Sequence, residues 1–383
     1  MKPFHHFPSP CYIVDESLLR QNLEILADVK ARSGARILLA LKGFSLFHVF
    51  PIVAKYLDGV CASGLYEARL GRELLNKEVH TYSPAFRDDE IDEIARHSNH
   101  VVFNSAAQFA KYRDRISTSS TDAPSHAPSL GLRVNPECSE VEVALYNPCA
   151  PGSRLGMLRS ELQQIEKGTY DGLHFHALCE QNADNLQRVL EAFEARFAPF
   201  IPGLKWVNFG GGHHITRRDY KRDLLVQLIK RFSDRYGVQV YLEPGEAVAL
   251  NTGVLIAEVL DIVHNEVDTA ILDISCTCHM PDVLEMPYRP EVRGASAPHQ
   301  KPYTYRLGGV SCLAGDIIGD YSFDAPLQPG TRLVFEDMAH YTIVKTTMFN
   351  GIRHPAIGLW NPATQQARIV RDFQFADYKN RMG

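Results

Sequence analysis

The chain lacks any run approaching the roughly 20 apolar residues that a membrane-spanning helix needs, and it lacks a surplus of positive charge. Forty lysines and arginines stand against 45 aspartates and glutamates, a formal net charge of −5. That balance argues against nucleic acid or an anionic membrane as the main partner, since both require a basic face. The opening Met1-Lys2-Pro3-Phe4-His5-His6 holds no apolar run leading to a small-residue cleavage site, so secretion is not expected. Cysteine is sparse, with eight scattered over 383 residues. Without the density of a disulfide scaffold or a secretory signal, that usage points to a reducing cytoplasm. Cys276, Cys278 and His279 lie close together, but zinc needs further ligands and no matching Cys/His pair stands at finger spacing, so no metal is expected. Internal repeats at a solenoid period are absent as well.

What is present is the composition of a soluble globular protein, 45% apolar and 22% charged, with length enough for two domains. Short apolar runs, mostly rich in β-branched or aromatic residues, recur at 37–41, 59–62, 79–82, 100–103, 130–134, 173–176, 206–209 and 238–242, as buried parallel strands should. Helical patterns alternate with them, for example at 65–75, 88–96, 182–197 and 219–236. Eight such alternations over about 230 residues suit a (β/α)8 barrel; an open doubly wound sheet is the competing arrangement, because strand order is not visible in sequence. Residues 117–129 are polar, Pro-containing and without period, and read as a surface loop. Beyond about Gly253 the pattern changes to strands at 254–263, 270–274, 303–310, 332–335 and 341–345, separated by Pro- and Gly-rich turns. The fold class is therefore α/β plus all-β: a barrel over 18–252, and a β domain from 253–383 joined by 1–17, whose residues 10–14 are strand-like.

Catalytic groups of such barrels come from the C-terminal ends of the strands and the loops beyond. Strand one ends in Lys42, strand five in Arg133 and strand six in His176. Strand seven runs into Gly210-Gly211-Gly212, and strand eight ends in Glu243 before Pro244-Gly245. A lysine after an apolar strand is placed where partial desolvation lowers its pKa and favours Schiff-base chemistry; alone, it reads sooner as a rim lysine reaching for water. The glycine run bares backbone N–H groups for a phosphate, although tight turns use glycine too. His176 is by itself a core histidine as readily as a site residue, and His213 and His214 read as a flexible pair leading into a helix. Glu243 is more telling, because a carboxylate ending an apolar strand is costly without a partner. A protonated pyridine nitrogen would be one such partner, and Arg133 another.

Taken in order, Ala40-Leu41-Lys42, His176, Gly210–Gly212, Glu243-Pro244-Gly245, Cys312 to Asp316, and Tyr341-Thr342 followed by Phe349-Asn350-Gly351 resemble the fold-type III pyridoxal-phosphate decarboxylases over nearly the whole chain. That family includes the ornithine and diaminopimelate decarboxylases and has the alanine racemase-like arrangement of a TIM-like barrel with a C-terminal β-sandwich or barrel domain. The segment from Cys278 to Pro290 most resembles members acting on carboxylated polyamines such as carboxynorspermidine. The resemblance implies pyridoxal 5'-phosphate as cofactor, joined covalently to Lys42, with His176 stacked on its ring and Glu243 against its ring nitrogen. It implies a phosphate held by Gly211, Gly212 and Tyr341 near Arg133, and a homodimer with shared active sites in which Cys312 of one subunit protonates the carbon that has lost carbon dioxide.

Two departures bear on substrate. Relatives read Glu-Pro-Gly-Arg where this chain has Glu243-Pro244-Gly245-Glu246, so an arginine that helps bind an anion is replaced by a group suited to a cationic tail. Diaminopimelate decarboxylases read Cys-Glu-Ser-Gly-Asp where this chain has Cys312-Leu313-Ala314-Gly315-Asp316. The expectation is an acidic wall of Glu246, Asp282 and Asp316, with His279 nearby, for the amines of a small carboxylated polyamine. Alternatives are a diaminopimelate or basic amino-acid decarboxylase, a racemase, or a regulator without catalysis. Joint retention of Lys42, His176, Glu243 and Cys312 argues against the last.

Overall fold

A computed structural model describes residues 4–118 and 127–383. The chain divides into two compact units, one of 22–248 and one made of 1–21 with 249–383. Strand β1 (Cys11–Asp15) belongs to the second. In the first, β2 (Arg36–Ala40), β3 (Gly59–Ala62), β4 (Glu78–Tyr82), β5 (His100–Phe103), β6 (Ser129–Arg133), β7 (Gly172–His174), β8 (Trp206–Asn208) and β9 (Gln239–Leu242) form a closed barrel in sequence order. Every neighbouring pair is parallel, and β9 closes on β2 through Arg36 opposite Tyr241. The open-sheet alternative is thus excluded. Most of the expected loop at 117–129 lies outside the described residues, and Ser129 opens β6.

Alternation along β7 shows how the barrel sorts its side chains. Leu173 is fully buried, and Phe175 just beyond the strand packs on Phe193, 4.8 Å away, and on Phe209, 5.3 Å away. Phe193 sits on the apolar face of helix Ala183–Phe197, which Asn182 opens with a capping box. Gly172 faces the other way: a Cβ there would fall 2.1 Å from the Trp206 ring. Only glycine leaves room for that indole. Trp206, Tyr241, Leu38 and Val102 form one buried cluster. Beside them the His80 and His100 rings stack at 3.7 Å, and His100 stacks in turn on Trp206 at 4.7 Å.

The second unit is a sheet built from β10 (Gly253–Asn265), β11 (Val267–Leu272), β12 (Tyr303–Gly308), β13 (Ile317–Phe323), β14 (Arg332–Phe335), β15 (Ala356–Asn361) and β16 (Gln366–Arg371) together with β1. Its order is β13-β12-β11-β10-β1-β15-β16, with β14 also paired to β10. Strand β1 lies antiparallel to β10 and parallel to β15, so the start of the chain is woven into its end. The strand expected at 341–345 is absent: Tyr341 adopts a left-handed backbone (φ 51°) and the chain turns into a short 3₁₀ helix, Ile343–Lys345. β-branched composition alone was misleading there, because Lys345 is drawn into ion pairs with Asp282 and Glu285. Strands β13, β15 and β16 were not anticipated.

Candidate active site

Lys42 follows β2 directly, and Glu243 follows β9, the strand that pairs with it. Their backbones are tied together beyond the strands. Ala40 N–H donates to Pro244 O at 3.0 Å, and a Cβ on Gly43 would lie 3.2 Å from the Gly245 Cα. Both groups therefore rise from one rim. Cys61 at the end of β3 registers the two charges together: burial pushes its thiol up, Glu243 adds to the rise and Lys42 opposes it. Lys42 itself is exposed, so the partial desolvation expected for it is not seen.

Glu243 is buried, with a relative exposure of 9%. Its partners are not Arg133. Asn208 Nδ2 donates to Oε1 at 2.6 Å, and His174 Nε2 lies 3.4 Å from Oε2. Burial alone would raise this carboxyl, but its contacts with the His174 ring and the Asn208 amide outweigh that and hold it down at about 2. The carboxylate is ionised throughout the physiological range.

The glycine loop is shaped by what surrounds it. A Cβ on Gly211 would fall 2.4 Å from Glu243 O, and one on Gly212, where φ is +80°, would fall 2.0 Å from Leu178 O. Gly211 N–H donates to His176 Nδ1 at 2.9 Å, which orients the half-buried ring and leaves its proton on Nε2. Burial first, then Lys42 and Arg133, keep that imidazole well below its usual pKa and therefore neutral. Arg133 is buried beneath, its guanidinium 4.5 Å over the Tyr82 ring and Nη2 3.4 Å from His176 O.

His174 and Asn208 are not distinguished in the sequence, where the last residue of each apolar run carries the signal. The period of two would have found His174, which shares its face with His176. His213 and His214, expected to be flexible, are buried at 1% and 5% exposure. His214 Nε2 lies 3.1 Å from Glu246 Oε2. With Glu180 these side chains bring three ligating atoms within 4.8 Å of one another.

In the second unit the remaining expected residues play different parts. Asp316, expected on an acidic wall, is 2% exposed and clamps its own loop. Its Oδ1 accepts from Cys276 N–H at 2.8 Å and from the Cys276 thiol at 2.9 Å, and its Oδ2 accepts from Ser311. His279, also expected near substrate, is sealed at 0% exposure; its Nδ1 accepts from Ser275 N–H and its carbonyl from the Tyr12 hydroxyl. Neither presents its side chain to solvent in this conformation. Asp282 is half-buried and ion-paired with Lys345. Cys312 is exposed, with its N–H donated to Asn350 Oδ1 at 2.8 Å. Tyr341 is half-buried on its left-handed turn.

Comparison with known proteins decides the family. A family model described as pyridoxal-dependent decarboxylase, C-terminal sheet domain, matches residues 11–339. The chain belongs to the pyridoxal-dependent decarboxylases. This decarboxylase is 47% identical to a carboxynorspermidine/carboxyspermidine decarboxylase of Campylobacter jejuni, over 99% of each chain. It is 45% identical to a carboxyaminopropylagmatine decarboxylase of Synechocystis, covering 98% of this chain and 96% of that one. A crystal structure of the Campylobacter jejuni carboxynorspermidine decarboxylase complexed with norspermidine superposes with a TM-score of 0.89, covering 97% of this chain and 99% of that chain at 47% identity. The residues of the decarboxylase fit the family's cofactor. Gly211 and Gly212 let the loop lie against the Glu243 and Leu178 carbonyls where no side chain would fit, and Glu243 is a buried anion on the same rim as an exposed lysine.

Proposed function

We propose that this decarboxylase removes the carboxylate from a carboxylated aminopropyl amine, carboxynorspermidine or carboxyspermidine, in polyamine biosynthesis. Identity of 47% over the full length of a relative of that name is the observation that carries this reading. Pyridoxal phosphate, when bound, supplies the electron sink for the bond to the departing carboxylate. Lys42 would hold it covalently, with Gly211, Gly212 and Tyr341 at its phosphate and His176 over its ring. Arg133 supports this set from below: its guanidinium faces the carbonyl of His176 and helps keep that imidazole neutral. Glu243 would keep the ring nitrogen protonated, since its depressed pKa leaves it anionic. Placing fixed charge where charge develops is commonly the largest contribution to catalysis.

Glu246 and Asp282 would receive the substrate's ammonium groups, and Glu180 adds a second carboxylate beside Glu246. Glu246 stands where relatives carry an anion-binding arginine, which supports a cationic tail over diaminopimelate. Cys312, exposed on the loop that Asp316 clamps, would supply the proton across a homodimer. The domain limits we favour remain a barrel over 18–252 with a β domain of 1–17 and 253–383. All eight cysteines are free, as a cytoplasmic protein requires, and no described helix is long and apolar enough to cross a membrane.

A second reading is favoured by the 45% identical relative: a carboxyaminopropylagmatine substrate, whose distal group is a guanidinium instead of an ammonium. Carbon-dioxide release across carboxynorspermidine, carboxyspermidine, carboxyaminopropylagmatine and diaminopimelate separates them. The first two should be turned over best. A preference for the guanidinium substrate moves the assignment to the second reading, and a preference for diaminopimelate overturns both. In the same assay Lys42→Ala should abolish both release and the visible absorbance of the purified protein; an intact band would remove Lys42 from its role.

A further inference from the structure

Glu243 can serve a ring nitrogen only if its carboxylate is both fixed in direction and fully charged, and the barrel contains two side chains that bear on each requirement. Asn208 is wholly buried at the end of β8. Gly210 N–H donates to its Oδ1 at 2.8 Å, which settles the amide's orientation and turns Nδ2 towards Glu243 Oε1, 2.6 Å away. The backbone closes the same ring of contacts, because Glu243 N–H donates to Gly210 O at 2.8 Å. One amide thus locks the carboxylate to the loop that would cradle the phosphate. His174, 3% exposed on the inward face of β7, sets its Nε2 3.4 Å from the other carboxylate oxygen.

We infer that Asn208 and His174 are positioning residues that hold Glu243 as a fixed carboxylate of undivided negative charge facing the ring nitrogen. The inference rests on the cofactor arrangement proposed above. The imidazole matters through its charge state as much as its contact. A cationic His174 would neutralise Glu243 and remove its attraction for a pyridinium, whereas a neutral ring, its Nε2 turned to the carboxylate, leaves the charge intact. Its surroundings favour the neutral form. Burial acts first against protonation, Glu243 on β9 opposes this, and Arg133 on β6 with Lys42 beyond β2 add to it. His80 on β4 and His176 beyond β7 are themselves held neutral, and the Tyr82 ring meets His174 edge-on at 5.6 Å. The positive groups around the site therefore also protect the charge of its one buried carboxylate.

The experiment is a binding titration of cofactor-free protein with pyridoxal phosphate and with its analogue carrying carbon in place of the ring nitrogen, followed by quenching of intrinsic fluorescence. Wild type should prefer the nitrogen-containing cofactor. His174→Leu should lose that preference to within about threefold, through a weakening of about tenfold or more confined to pyridoxal phosphate. His174→Gln, which retains an amide donor near the Nε2 position, should recover most of it. Asn208→Leu should behave as His174→Leu does, and serves if that variant fails to fold. Equal weakening of both ligands in His174→Leu and Asn208→Leu, or a preference unchanged in both, overturns the inference. If wild type itself binds the two ligands alike, the proposed pairing of Glu243 with the ring nitrogen fails instead.

Discussion

Two buried carboxylates, Glu243 in the barrel unit and Asp316 in the β unit, look alike by burial and by charge yet are held in different ways. Both carboxyls are kept below their ordinary pKa against the opposing pull of burial. Asp316 ties its own loop to Cys276, 40 residues away in sequence, accepting both the backbone N–H and the side chain of Cys276 and of Ser311, and a side chain on Gly309 would collide with it at 2.4 Å. The Glu243 carboxylate accepts from the Asn208 amide, with His174 Nε2 3.4 Å from its other oxygen, at the open end of the barrel. Backbone donors are what Asp316 has and the Glu243 carboxylate lacks, so Asp316 fixes the path of the chain, whereas Glu243 is anchored by side chains at a strand end. The distinction lies in the partners and not in the burial.

The largest expected effect tests that contrast directly. Glu243→Gln should lower kcat/KM by about 10²- to 10³-fold while the melting temperature moves little, because the amide keeps its shape and its Asn208 contact. Asp316→Asn should do the reverse, lowering stability by about 1–3 kcal/mol as acceptors for Ser311 and Cys276 are lost, with a smaller fall in kcat. A thermal melt alongside steady-state kinetics reads both. If Asp316→Asn leaves the melt unmoved and cripples turnover, the carboxylate belongs to the chemistry after all.

A second contrast concerns acid. His80 and His100 sit in the barrel with burial as the first cause holding them at about 3 and about 2. A base depressed in this way binds fewer protons when folded than when unfolded, so stability falls as pH drops below 6.5. The loss is about 1.4 kcal/mol per pH unit for each ring until its folded value is reached. Glu243 works in a lower window: its carboxyl is depressed from 4.5 to about 2, so its contribution is intact above 4.5 and is lost as pH falls towards 2. Between 6.5 and 4.5 the acid sensitivity of the barrel therefore belongs to its imidazoles. His80→Phe, which preserves the stack, should make stability against pH shallower by about 1.4 kcal/mol per unit in that interval. Trp206, stacked on His100, reports it in a Trp360→Phe background, the only other tryptophan being removed. An unchanged slope would mean that His80 is protonated in the native barrel.

Much of this was legible in the sequence, for identifiable reasons. Parallel strands buried on both faces read as unbroken apolar runs, so all eight barrel strands could be located, and the barrel's geometry then singled out Lys42, His176, Gly210–Gly212 and Glu243. His174 and Asn208 escaped because their meaning depends on strand pairing that sets them opposite one another and beside Glu243 on consecutive strands. Asp316 and His279 show the complementary limit: a polar residue's place in the sequence does not reveal whether its hydrogen bonds are already spent on neighbouring groups. The stretch 341–345 misled because the left-handed Tyr341 and the ion pairs of Lys345 override β propensity.

The smallest effect probes the rim at Glu246, where the family resemblance implies an arginine in relatives. Glu180 and Glu246 converge with His214, but they are not equivalent. Glu246 is half-buried against the buried His214, whereas Glu180 is exposed. An ammonium shared by the pair would draw most of its attraction from Glu246, since water and salt screen the exposed partner. Glu180→Gln should accordingly raise KM for a carboxylated polyamine by about two- to fivefold, with kcat unchanged, and the increase should shrink in high salt. Cofactor binding should not respond. A loss of pyridoxal phosphate affinity with KM intact would place these carboxylates on the phosphate side of the site, and the replacement of arginine by Glu246 would then concern the cofactor and not the substrate.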